Sequence, residues 1–170
     1  MPKPILAYVR YVDAMNRFVG RFAMYLLFVL AAVLLTSTFS RLIVGASVNW
    51  ALEMAQFILS AYYLLGGPYA LQQDAHVRMD VFYSRLPPRK RAVTDAFTIL
   101  FIIFYLAVLF LGGISSTNYA IVYQQTNYSA WAPLLWPIKV VMTIGVFLML
   151  LQCISTLFKD VAAARGKPIA

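Results

Sequence analysis

The feature that most constrains this chain is a series of apolar runs, each about as long as a bilayer is thick, spread along most of its length. Residues 22–44 read FAMYLLFVLAAVLLTSTFSRLIV, and residues 98–111 read TILFIIFYLAVLFL. A soluble domain of 170 residues has no interior able to hide a chain that is 62% hydrophobic with a mean hydropathy of +0.77. A bilayer supplies that environment, and only helices or closed barrels satisfy every backbone polar group within it. The runs lack the two-residue alternation of barrel strands, so the fold class is an all-α membrane protein.

The apolar pattern predicts one membrane domain over residues 1–170, with four transmembrane helices at 22–44, 50–71, 93–114 and 137–158. Gly66-Gly67-Pro68 near the end of the second span predicts a kink or an early stop there. Residues 4–18 are too polar to span. Ile5, Tyr8, Val9 and Val12 recur at helical spacing while Arg10, Asp13 and Arg17 gather on another face. That predicts an N-terminal amphipathic helix lying in the interface, with Asp13 and Arg17 at the favourable i, i+4 spacing. No convincing cleavage site follows, so the first apolar run is read as a retained span and not a signal peptide.

The net charge of +8 does not indicate nucleic acid, because the basic residues sit at span ends. Lys3, Arg10, Arg17 and Arg21 precede the first span. Arg78, Arg85, Arg89, Lys90 and Arg91 fill the loop between spans two and three, and Lys159, Arg165 and Lys167 follow the fourth. Only Arg41 and Lys139 fall on the other side. The positive-inside rule therefore predicts that both termini are cytoplasmic. The stretch from Ser115 to Ala132 then faces outward. It carries no charge and is rich in tyrosine, which suits either a docking surface or a continuation of the third helix.

Few residues carry chemistry. One cysteine, Cys153, excludes an internal disulfide, and one histidine, His76, excludes a clustered histidine site or paired haem ligands within one chain. No phosphate-binding glycine loop or HExxH motif is present, so no cofactor is expected. The informative residues are Glu53 and Lys139, ionisable groups inside apolar spans. Each lies three residues after a tryptophan, Trp50 or Trp136. That places both about 4.5 Å inside the outer interface, in reach of an ion pair that Arg41 can join. Glu53, Gln56, Ser60, Tyr63 and Gly67 fall within an arc of about 80° and should face protein. A lone Glu53 serving as a proton- or cation-coupling site is the alternative to a structural pair. His76, Arg78 and Asp80 alternate just beyond the second span. They are read as fixing the loop, meeting lipid headgroups or meeting a partner subunit, with no nucleophile or metal partner nearby to make them catalytic.

Residues 41–91 carry a further pattern. Arg41 is followed by Trp50 and Glu53, then Leu65-Gly66-Gly67, Ala70-Leu71, His76-Val77-Arg78-Met79-Asp80-Val81 and Leu86-Pro87-Pro88. Together with Trp131 to Lys139 and the four-span layout, this resembles the small, DctQ-like membrane subunit of tripartite ATP-independent periplasmic (TRAP) transporters, over about residues 25 to 158. The chain departs from it at Arg41-Leu42, where the family often has Arg-Tyr, and at Leu52-Glu53, where it often has two acids. The resemblance implies a bacterial inner-membrane scaffold for a large transport subunit, helping a periplasmic substrate-binding protein to dock. Uptake would be sodium-driven, and the Trp131–Lys139 stretch resembles a branch linked to organic acids. Two other classes stay open on the residues alone: a self-contained homodimeric proton-coupled exporter using Glu53, and a four-helix membrane enzyme.

Overall fold

With no water to bond to, each apolar run closes its backbone hydrogen bonds on itself and becomes a helix. The computed structural model describes residues 3–45, 48–73 and 88–164. Among them are four helices: α1 (Lys3–Val44), α2 (Asn49–Gln72), α3 (Pro88–Val122) and α4 (Trp136–Ala164). By length and composition three of these can cross a membrane, over Pro4–Ile43, Phe97–Val122 and Trp136–Ala162. The 24 residues of α2 reach about 36 Å, which is long enough, but Glu53, Gln56, Ser60 and three tyrosines dilute its hydropathy.

The interfacial helix expected over 4–18 and the span expected over 22–44 are one unbroken helix of 42 residues. The amphipathic pattern has a different use from the one expected. Val9, Val12 and Asn16 are buried, and Tyr8 donates to the Leu151 carbonyl at 3.2 Å, so α4 covers the face assigned to lipid. The helix stops at Gly45, whose φ of +69° is the left-handed geometry that ends helices and that glycine adopts without strain. One other expectation and one boundary differ. Pro68 does not end α2, which continues to Gln72. The third helix runs past residue 114 to Val122, so the segment from Ser115, expected to face outward, is partly helical.

The four helices form an open row and not a closed square. α1 packs on α2, α2 on α4 and α4 on α3, while α1 also reaches α4 over a shorter stretch. Leu106, Val146 and Cys153 form the core, with Leu64, Leu71 and Phe110 packed around them. Large apolar side chains of α1 and α3, such as Phe28, Phe39, Phe104 and Leu111, point outward as a bilayer permits.

Candidate functional site

Two clusters of polar side chains tie segments of the bundle together. At the end of the bundle where the N-terminus lies, Asp13 of α1 accepts from Gln152 Nε2 at 3.0 Å, from Ser155 Oγ at 3.3 Å and from Lys159 Nζ, all on α4. Asn16, one turn along, donates to Gln152 Oε1 at 2.7 Å and is fully buried. Asp13 therefore pairs across to α4, not along its own helix with Arg17, which is exposed. Residues 152, 155 and 159 are i, i+3 and i+7, one polar stripe on an apolar helix. That spacing was the available signal for this cluster, and it has meaning only once a second helix bearing Asp13 and Asn16 is set against it.

At the opposite end, Lys139 is half-buried and its Nζ donates to Gln125 Oε1 at 2.8 Å. Thr143 Oγ1 donates back to the Lys139 carbonyl at 2.8 Å and meets Thr117 Oγ1 of α3 at 3.0 Å. Beyond α3 the chain turns back, pinned by Asn127 N to Pro133 O at 3.0 Å and Leu135 N to Gln125 O at 2.9 Å. Ser129 Oγ accepts from Ala132 N at 3.0 Å, holding Ala132 at a φ of +45°. The lysine thus fixes this loop against the head of α4. Lys139→Met is expected to remove a charge-assisted hydrogen bond worth about 2 kcal/mol. Hydrogen exchange at the amides of Asn127 and Leu135 should rise accordingly, with the α4 amides beyond its first turn unchanged.

The expected ion pair between Glu53 and Lys139 is not formed among the described residues. The reason is stagger. Leu64 lies against Gly145, and Gly67 against Met149, so α2 and α4 are offset by 81 to 82 positions. The tryptophan anchors imply an offset of 86, and the difference of four to five residues puts Lys139 about 6–7 Å deeper than Glu53. Glu53 is buried and its Oε2 has no hydrogen-bond partner among the described residues. Trp50 and Arg41 are exposed near that end of the bundle. On the stripe expected to face protein, Ser60 is half-buried while Gln56 and Tyr63 are exposed. His76, Arg78 and Asp80 lie outside the described residues.

This arrangement defines a small multi-span membrane protein in which Asp13, Lys159 and Lys139 tie its own segments together, with Gln56 and Tyr63 of the α2 stripe left uncovered. The family model described as the DctQ component of tripartite ATP-independent periplasmic transporters matches residues 30–163, and the chain belongs to that family. It is therefore a component of a transporter and not a member of an enzyme family. Among curated proteins, none matches it.

Proposed function

We propose that the chain is the scaffold subunit of a TRAP transporter, anchoring the large membrane subunit and helping the periplasmic binding protein to dock for sodium-driven uptake of an organic acid. In this reading α2 is the fourth span, and both termini are cytoplasmic in a bacterial inner membrane. Arg41, Trp50 and Gln56 belong to the intersubunit surface near the outer face, Glu53 lies buried beneath it as an interhelical residue, and Lys139 stabilises that end from within. His76, Arg78 and Asp80 organise the cytoplasmic loop. The large subunit, the binding protein and lipid are its partners, and the sodium gradient acts on the complex, with no cofactor held in this chain.

The observation that carries this reading is the exposed pair Gln56 and Tyr63 on the α2 stripe. Gln56 is exposed nearly two turns, about 9 Å, below Trp50, at a depth where lipid offers no hydrogen-bond partner and an unmet amide costs several kcal/mol. A second protein surface removes that cost. Gln56→Trp leaves this chain's own packing alone, because the side chain is exposed, and it obstructs a partner seated there. Purified from native membranes in mild detergent, the wild-type chain should bring a larger polytopic protein with it. The variant should recover that protein at least several-fold less well at equal expression. Equal recovery with both chains, or recovery of the wild type alone or as a homodimer, would remove α2 as the interface.

A further inference from the structure

The lower half of α1 presents a second outward face that the transporter reading does not use. Arg10, Arg17 and Arg21 are exposed, and none forms an ion pair among the described residues. At 100° per residue they fall within an arc of about 40°. Tyr11, Phe18 and Tyr25, exposed at 73%, 76% and 68%, form a parallel row about 80° further round. Val9, Val12, Asn16 and Ala23 of the same helix are buried, so packing turns the arginine and aromatic rows away from the bundle.

We propose that this face binds anionic phospholipid, with Arg17 and Arg21 sharing one headgroup phosphate and Arg10 meeting a second. Residues i and i+4 lie one above the other about 6 Å apart along the axis, and two guanidiniums at that spacing converge on one phosphate. Aromatic side chains beside them suit the boundary between headgroup and acyl chain. The length of α1 fits the same position: 42 residues reach about 63 Å, against about 40–45 Å for a bilayer with its headgroups, so the helix extends through one headgroup layer. The complementarity is of charge, three exposed cations against a phosphate surface. All three arginines precede residue 30, where the family match begins, so the inference does not rest on the family's shared region.

The test uses the full-length chain reconstituted in phosphatidylcholine with a trace of spin-labelled phosphatidylglycerol or spin-labelled phosphatidylcholine. The wild type should retain the anionic probe in preference to the neutral one. A basic residue near the surface is worth about 1 kcal/mol, so the three together should bias retention by up to roughly a hundred-fold. The triple variant Arg10→Gln, Arg17→Gln, Arg21→Gln should lose most of that preference, and the triple Arg→Lys variant should keep most of it. A wild type without preference for the anionic probe, or a glutamine variant that prefers it equally, overturns the proposal. The lysine variant separates loss of charge from loss of fold, since it alters the same positions and keeps the cations.

Discussion

Replacing Asp13 with alanine is expected to cost about 3 kcal/mol of stability, among the largest effects of any single substitution in this chain. Three donors on α4 converge on this carboxylate: the Gln152 amide, the Ser155 hydroxyl and the Lys159 ammonium. Alanine leaves all three without their acceptor, and the ammonium, whose side chain is 29% exposed, is the most costly to strand. Asp13→Asn keeps an oxygen for Gln152 and Ser155 but turns an amide donor towards the Lys159 ammonium, losing the charge and that hydrogen bond, so it should cost less than alanine. The double variant Asp13→Leu, Lys159→Met removes both charges together and should recover most of the loss, because a matched apolar pair is often as stable as a partly buried ion pair. Thermal unfolding of the purified chain in detergent reads all four proteins. An alanine variant within about 0.5 kcal/mol of wild type would show that the α1–α4 seam is held by apolar packing alone.

That cluster also shows which parts of the fold were legible in the sequence. The helices were, because their apolar runs have no soluble or barrel alternative, and so were the family and the internal position of Cys153. Pairings between helices were not. Asp13 has a favourable partner four residues along its own helix, and nothing local says that α4 will offer three donors instead. Glu53 and Lys139 share a tryptophan landmark that suggests equal depth. The stagger that separates them is set by how Gly145 fits against Leu64, a contact 81 positions apart in the chain. The continuity of α1 was hidden for a related reason. An apolar stripe among charges reads the same whether lipid or a neighbouring helix covers it, and only the placement of α4 distinguishes the two.

The stagger itself is open to test, because it depends on one close approach. A Cβ on Gly145 would stand 2.8 Å from Leu64 Cβ and 2.9 Å from the Leu64 carbonyl carbon and oxygen. Two of those three atoms are backbone, so α2 must move as a body for any larger residue to fit. The position is not arbitrary along α2. Leu64 is four residues before Pro68, which has no N–H to give, so this carbonyl lacks its usual helical donor. A glycine α-hydrogen facing it offers a weak replacement that no other residue supplies at this distance. Gly145→Ala is therefore expected to destabilise the chain by about 2–3 kcal/mol, at the upper end for overpacking. Gly112 is the matched control: it also lies within a membrane helix, and an added Cβ there meets nothing within 4 Å. Gly112→Ala should be neutral or stabilising by up to about 1 kcal/mol through helix propensity alone. Unfolding measurements on the two variants in the same detergent compare one methyl group in two places. Equal effects would mean that α2 and α4 are not locked at Leu64 and can slide. A slide of four to five residues would bring Lys139 level with Glu53, so the same comparison decides whether geometry keeps Lys139 from the buried acid.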